Sequence, residues 1–165
     1  MARIKAAVTR AFNEPFTIEE VELAEPRTGE VEVTLGAVAI CHSDISYAEG
    51  AWGGTLPAIF GHEAAGTITK VGQGVAGFAE GDKVIVTLIR ACGGCISCAT
   101  GRPVTCETSV DTFEGGPLSL PDGDPVLQAM YVGGFAEKVV VDQSQIVKIG
   151  THISMDAACL IACGV

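Results

Sequence analysis

The sequence is poor in basic residues and lacks long apolar runs. It has 10 Lys and Arg against 20 Asp and Glu in 165 residues, a net charge of −10 with histidine neutral. A phosphate backbone is bound by clustered Lys and Arg, so we expect no nucleic-acid partner. No apolar run approaches the length of a membrane span, and the first residues lack the apolar segment of a signal peptide. We therefore expect a cytoplasmic protein without a membrane partner.

The remaining composition predicts one compact domain that is mainly β with short helices. Hydrophobic residues make up 48% and charged residues 18%, which allows a sizeable core, and the 21 glycines favour turns over long helices. Residues 30–35 alternate polar and apolar side chains, the pattern of a strand with one buried face. Similar stretches separated by Gly and Pro occur at 4–8, 16–21, 65–71, 83–87 and 135–141.

Two further segments predict a loop and a helix less distinctly. Residues 107–128 are rich in Gly, Pro and acidic side chains and predict a long surface loop. Residues 154–163 predict the start of a helix, with Ser154 as its N-cap. The sequence then ends on apolar residues, which is a poor ending for a finished domain, so we expect it to be a fragment.

Seven cysteines carry the strongest functional signal. Their number is odd and we expect a reducing compartment, so close spacing indicates metal binding before disulfides. Four thiolates suit a tetrahedral zinc ion, and a site closed by four protein ligands is structural. A disulfide pair and an iron–sulfur cluster are the alternatives. The four closely spaced cysteines are Cys92, Cys95, Cys98 and Cys106.

A second set of potential ligands is dispersed along the chain. A lone Cys or His is more often a core residue than a ligand, and composition alone does not join them. Two thiolates and one imidazole together would bind zinc through three protein ligands and leave a fourth position open, as in a catalytic site. The stretches are Cys41-His42-Ser43-Asp44, Gly61-His62-Glu63 and Cys163.

In order and spacing, these motifs resemble those of the zinc-dependent alcohol dehydrogenases of the medium-chain dehydrogenase/reductase superfamily. The resemblance covers essentially all of the sequence. It implies a GroES-like catalytic domain at 1–165, a partly open antiparallel β-barrel with a zinc lobe at about 90–107. It also implies a Rossmann nucleotide-binding domain after residue 165, absent from this sequence. The matching stretches are the two sets above, Gly61–Gly66, Val71–Val75, Gly81–Val84 and Leu160–Val165.

The resemblance also implies two zinc ions per chain. Cys41, His62 and Cys163 would bind the catalytic zinc, and the four clustered cysteines the structural one. Cys159 lies one helical turn before Cys163 and is a rival by spacing, but the resemblance leaves it as a small buried hydrophobe.

Further roles follow from the same resemblance. Ser43 would accept the proton of the alcohol and also cap a short helix. Many relatives end this proton relay at a histidine, where this sequence has Ser46, so solvent or His42 would replace it. His42 would contact the pyrophosphate of the cofactor.

Other residues would shape the site. Asp44 and Glu63 would orient or tune the zinc ligands, and Glu63 would also approach the ion during ligand exchange; ordinary surface acids are the alternative. Trp52, Leu88 and Phe135 would line an apolar cleft for medium-sized or aromatic primary alcohols; ordinary core residues are the alternative.

Residues 72–77 match the dinucleotide pattern GxGxxG, but no helix fits before the next predicted strand, so we interpret them as a turn. The expected function is that of a zinc-dependent alcohol dehydrogenase, which interconverts alcohols with aldehydes or ketones and uses NAD or NADP. The whole enzyme would be a homo-oligomer, and this chain alone would be inactive. The alternatives are a zinc-stabilised β module for binding or assembly, and a related zinc reductase such as glutathione-dependent formaldehyde dehydrogenase.

Overall fold

The computed structural model describes residues 1–164 and is mainly β. Val165, the last residue of the predicted C-terminal motif, lies outside the described residues. The helices are α1 (His42–Ala48), α2 (Ile96–Ala99) and α3 (Met155–Leu160), with 3₁₀ turns at Pro103–Thr105, Ala129–Tyr131 and Gln143–Gln145. The strands are β1 (Ala2–Val8), β2 (Thr17–Leu23), β3 (Glu30–Ala39), β4 (Ala58–Ile59), β5 (Glu63–Val71), β6 (Lys83–Val86), β7 (Leu118–Ser119), β8 (Leu127–Gln128), β9 (Lys138–Asp142) and β10 (Ile146–Lys148).

These strands form three open sheets. The largest has the order β10-β6-β5-β3-β9 and is antiparallel throughout. A second sheet has the order β1-β2-β7, and β4 pairs with β8 in parallel. The predicted mainly β fold with short helices is confirmed, although the sheets do not close into a barrel.

Alternating apolar residues of the large sheet build one cluster of the core. Val31 and Val33 of β3 pack with Val84 and Val86 of β6 and with Ile68 of β5, and all five are fully buried. Because side chains alternate across a strand, this pattern directs one face of each strand into the core. α3 packs against β3 and β5 through the buried Ala158 and Cys159. Among residues 1–164, no helix is long and apolar enough to cross a membrane.

Two parts of the chain differ from the sequence-based prediction. The last long strand begins at Lys138 rather than at residue 135, because the backbone of Phe135 bonds to Phe60 instead. The predicted surface loop at 107–128 contains β7 and β8, because its apolar residues Leu118, Leu120 and Val126 join the core. These side chains anchor the loop to the body of the domain.

The GxGxxG segment is a turn, as predicted, and in the described part of the chain β6 follows it without an intervening helix. A Cβ atom at Gly72 would lie 2.0 Å from the backbone oxygen of Arg27, so only glycine permits this close approach. Gly74 and Gly77 have φ values of +79° and +83°, which glycine adopts without strain.

A buried carboxylate lies on β3 of the large sheet, between its neighbours β5 and β9. Glu32 of β3 is only 1% exposed, and its Oε1 accepts hydrogen bonds from Lys138 Nζ at 2.9 Å and Thr69 Oγ1 at 2.8 Å. Lys70 Nζ lies 3.5 Å from the other carboxylate oxygen. Burial alone would raise the pKa of Glu32, but the hydrogen bonds from Lys138 and Thr69 and the charges of both lysines outweigh it and lower that pKa.

We expect Glu32→Gln to lower the free energy of unfolding by about 2 kcal/mol at neutral pH, since it leaves two lysines without their buried partner. This corresponds to a fall of roughly 5 °C in the melting temperature. The pKa of Glu32 in the folded state is below the ordinary value of 4.5. The carboxylate therefore stabilises the fold fully above about pH 4.5, and this stabilisation is lost as the pH falls through the folded-state pKa. The difference between wild type and variant should therefore shrink in acid.

Thermal unfolding measured between pH 3 and pH 8 checks this expectation. Glu25→Gln is the matched control, because Glu25 contacts the same Lys70 but is exposed to solvent. Its melting temperature should stay close to that of wild type. Equal losses in the two variants would contradict a special role for the buried carboxylate.

Candidate metal centres

The four clustered cysteines converge in the lobe that contains α2. Their Sγ atoms all lie within 4.8 Å of one another, and those of Cys95 and Cys106 are 4.0 Å apart. Sulfur atoms bound to one tetrahedral zinc at about 2.3 Å would be about 3.8 Å apart, so the donor set fits a zinc ion. The four sulfur atoms belong to Cys92, Cys95, Cys98 and Cys106.

Local backbone bonds hold this arrangement. Cys92 Sγ accepts a hydrogen bond from the N–H of Cys95, and Cys95 Sγ accepts one from the N–H of Cys98. Cys106 Sγ accepts one from the N–H of Cys92, which closes the loop. Gly93, with a φ of +73°, permits the turn between the first two cysteines.

The thiols of this cluster differ in acidity. A hydrogen bond from Thr108 and backbone N–H groups lower the pKa of Cys92 to about 6. Burial and the neighbouring thiol of Cys95 raise the pKa of Cys98 to about 12. A metal ion bound by all four thiolates would therefore displace protons from the cluster, and acid would oppose its binding.

A second group of potential ligands joins distant parts of the chain. Ligand atoms of Cys41, His62, Glu63 and Cys163 all lie within 4.8 Å of one another. Cys41 caps α1, His62 and Glu63 stand at the start of β5, and Cys163 follows α3. Two thiolates, one imidazole and one carboxylate suit zinc. Glu63, which the resemblance brings to the ion during ligand exchange, thus lies within the same group as the three predicted ligands.

Asp44 holds two residues of this group, Cys41 and His62, in place through hydrogen bonds. Its Oδ1 accepts hydrogen bonds from the N–H of Gly61 at 3.0 Å and from His62 Nδ1 at 3.1 Å. Its Oδ2 accepts one from the N–H of Cys41 at 3.0 Å. Asp44 and His62 are each 1% exposed. Since a carboxylate can only accept, Nδ1 of His62 carries the proton and Nε2 is free to bind a metal.

The charges of this group influence one another. The hydrogen bond to Asp44 raises the pKa of His62, against the effect of burial. Hydrogen bonds from the hydroxyl and N–H of Ser43 lower the pKa of Cys41. Burial, followed by the charges of Cys41 and Glu63, raises the pKa of Cys163. A cation at the centre would relieve the repulsion between Cys41, Glu63 and Cys163.

The other residues predicted for this site occupy different surroundings. Ser43 contacts the Cys41 thiol, as described. The prediction that Ser43 caps the helix is wrong, because α1 begins at His42 and Cys41 is its N-cap. His42 is exposed at the start of α1, and Ser46 is half-buried on the same helix. Cys159 is buried, and its thiol donates a hydrogen bond to the backbone oxygen of Asp156. Cys159 belongs to neither ligand group.

An apolar cavity of about 360 Å³ opens beside α1. Leu88 lines it, as the resemblance implied, and Trp52 touches its wall through an edge-to-face contact with Tyr47 at 4.9 Å. Phe135 instead lines a separate groove beside Phe16. Other residues of the wall were not predicted from the sequence, although Phe60, an aromatic residue two positions before His62, is a usable signal. They include Phe12, Tyr47, Phe60, Met130 and Tyr131.

A strained segment forms part of this wall. Met130 and Tyr131 have φ values of +51° and +61°, which non-glycine residues adopt at a cost of about 1–3 kcal/mol each. The side-chain amide of the buried Gln145 holds this conformation by donating to the backbone oxygen of Tyr131 at 3.1 Å. Backbone strain of this kind is concentrated at functional sites.

Comparison with known families agrees with this geometry. The family described as the alcohol dehydrogenase GroES-like domain matches residues 27–151, about three quarters of the chain. The chain belongs to this family. The four clustered cysteines lie within the matched residues, and so do Cys41, His62 and Glu63 of the second ligand group.

Relatives and solved structures extend the match over the whole chain. An NDMA-dependent alcohol dehydrogenase from Amycolatopsis methanolica is 37% identical over 99% of this chain and 45% of its own length. An alcohol dehydrogenase zinc-binding domain protein from Burkholderia ambifaria superposes with a TM-score of 0.90 at 31% identity, over 99% of this chain and 46% of that one. Benzyl alcohol dehydrogenase from Acinetobacter calcoaceticus does so with a TM-score of 0.88 at 25% identity, also over 99% and 46%. The chain therefore spans about half the length of these proteins.

Proposed function

We propose that this chain is the catalytic domain of a zinc-dependent alcohol dehydrogenase that uses NAD or NADP. The observation that carries the proposal is the convergence of Cys41, His62, Glu63 and Cys163. A second group of four thiols accompanies it in the same domain. A binding module needs neither this second ligand group nor an apolar cavity lined by Phe60, two residues before His62, so both features favour an enzyme over a non-catalytic β module.

In this proposal, two zinc ions bind to each chain. Cys92, Cys95, Cys98 and Cys106 would hold a structural ion, and Cys41, His62 and Cys163 would hold the catalytic one with Glu63 beside it. Bound zinc would lower the pKa of the alcohol hydroxyl, and the nicotinamide would accept the hydride.

The residues of the chain would prepare the alcohol for reaction. Ser43 would accept the hydroxyl proton at its Oγ and pass it toward solvent, because Ser46 is a poor base for a longer relay. Asp44 would keep Nε2 of His62 directed at the ligand group through its bond to Nδ1. The exposed His42 would contact the cofactor pyrophosphate. The apolar cavity would bind the carbon part of a medium-sized or aromatic primary alcohol and exclude water.

The proposal extends to the whole protein. A Rossmann domain would follow residue 165 and bind NAD or NADP, the whole enzyme would be a homo-oligomer, and this chain alone would not oxidise alcohols. The benzyl alcohol dehydrogenase among the similar structures supports an aromatic substrate.

Elemental analysis and kinetics test the proposal together. We expect two zinc ions per chain, and NAD or NADP reduction by the whole enzyme with benzyl alcohol that is lost on chelation and restored by zinc. The chain of 165 residues alone should show no reduction. Activity that survives complete zinc removal would refute the mechanism. Oxidation of only the glutathione adduct of formaldehyde would indicate the related reductase instead.

A further inference from the structure

One wall of the apolar cavity comes from a loop far from the ligand group in sequence. Phe12 lies in the loop between β1 and β2, and among residues 1–164 it is the one cavity-lining residue that precedes α1. Its side chain is half-buried. The position of Phe12 relative to the ligand group decides how its ring would affect a molecule bound in the cavity.

Leu88 identifies the part of the cavity that lies toward the ligand group. β5 and β6 pair in the antiparallel register Ala64↔Val86 and Ala65↔Ile85. Because the strands are antiparallel, the end of β6 at Val86 lies beside the start of β5, which directly follows His62. Leu88, two residues beyond β6, therefore lines the cavity at the edge of the sheet where β5 begins.

Gly50 identifies the part of the cavity that lies away from Cys41. Cys41 caps the N-terminus of α1, and Gly50 lies just beyond its C-terminus. A helix of this length rises about 10 Å, so Gly50 is remote from Cys41. A Cβ atom added at Gly50 would lie 2.8 Å from Cγ of Phe12, which shows that the ring packs directly on this glycine. Phe12 thus lines the cavity beside the C-terminal end of α1, whereas Cys41 of the ligand group caps the N-terminal end of the same helix.

The loop that carries Phe12 is fastened to α1. The backbone N–H of Asn13 donates to the oxygen of Ala48 at 3.0 Å, and its side-chain amide donates to the oxygen of Glu49 at 2.9 Å. Asn13 adopts a φ of +62°, which asparagine tolerates better than most residues. These bonds hold the aromatic ring of Phe12 in place across the end of the cavity.

Between the two ends, aromatic rings form a smooth wall. Tyr47 and Phe60 stack with their ring centroids 5.9 Å apart. An alcohol whose hydroxyl lies at the ligand group would extend its carbon part along these rings toward Phe12. We propose that Phe12 sets the maximum length of alcohol that the cavity accepts. This inference rests on the proposed function and adds a specificity-determining residue to it.

Substrate selectivity of the whole enzyme tests the proposal. The measured quantity is the ratio of kcat/KM for 4-butylbenzyl alcohol to kcat/KM for benzyl alcohol. Phe12→Ala opens the far end, so we expect this ratio to rise about tenfold or more, the effect of a few buried methylene groups. Phe12→Leu should raise it less, and Phe12→Trp should lower it.

Phe16→Ala is the matched control. Phe16 follows in the same loop, but its ring packs against Phe135 in the separate groove. This variant loses the same atoms from the same loop and should leave the ratio within about twofold of wild type. A rise as large as that of Phe12→Ala would overturn the proposal, because it would reflect loosening of the loop.

Fluorescence supplies a readout independent of catalysis. Trp52 is the single tryptophan, and it contacts Tyr47 in the cavity wall. Titration of the zinc-loaded chain with each alcohol should show that Phe12→Ala tightens binding of 4-butylbenzyl alcohol relative to benzyl alcohol. An unchanged preference, with two zinc ions retained, would overturn the role of Phe12. Absence of all alcohol oxidation would instead refute the proposed function, and the titration would still test Phe12.

Discussion

Replacing His62 with alanine should remove one zinc ion and nearly abolish alcohol oxidation. The imidazole is buried, and its free Nε2 is directed into the group formed with Cys41, Glu63 and Cys163. Without it, three negatively charged ligands remain and the tetrahedral set is incomplete. We expect zinc to fall from two ions per chain to one, and kcat/KM of the whole enzyme to fall about a thousandfold or more, roughly 4 kcal/mol of transition-state stabilisation.

The third histidine of the chain provides the control. His152 is exposed in the turn before α3, away from both ligand groups. His152→Ala should keep both zinc ions and wild-type kinetics. Asp44→Asn is a graded variant, because it keeps the shape of the side chain but removes the charge that holds His62. Loss of such a supporting partner costs about 10–100-fold in metal affinity or activity. Two zinc ions and normal activity in His62→Ala would contradict the assignment.

Replacing Cys98 with serine should release the other zinc ion and unfold its lobe. Zinc bound by four thiolates contributes about 10 kcal/mol or more to the folding of such small sites. The lobe has little else to hold it, since Cys92 and Ile96 are exposed and its secondary structure is a single helical turn and a 3₁₀ turn. We expect rapid proteolysis between residues 92 and 106, measured by mass spectrometry, while the sheets stay folded and the second zinc ion is retained.

Cys159→Ser is the matched control for this variant. Cys159 is also a thiol in a short helix, but it is buried, donates to a backbone oxygen and belongs to neither ligand group. This variant should keep two zinc ions and an intact lobe. Loss of zinc from both variants, or from neither, would contradict the division of the thiols into ligands and a core residue.

Much of the fold followed from short-range patterns. Alternating side chains predicted the long strands because a strand with one buried face repeats every two residues. The exception at residues 135–137 depends on tertiary contact, since Gly61 lies so close that an added Cβ would be 2.6 Å from the ring of Phe135. The loop at 107–128 was harder to predict, because its few apolar residues gain their anchoring role only from a core formed elsewhere.

The sequence by itself determined the four-cysteine cluster. Its ligands lie within 15 residues, so their spacing and glycines limit the geometry they adopt. Only the tertiary structure decided that Cys41, His62, Glu63 and Cys163 meet, since they are brought together by the register of β5 with its neighbours and by the packing of α3 on that sheet. It also decided that Glu32 is buried between two lysines and that Phe12 closes the cavity. Contacts between distant segments depend on how strands pair and helices pack, and local sequence patterns carry little information about either.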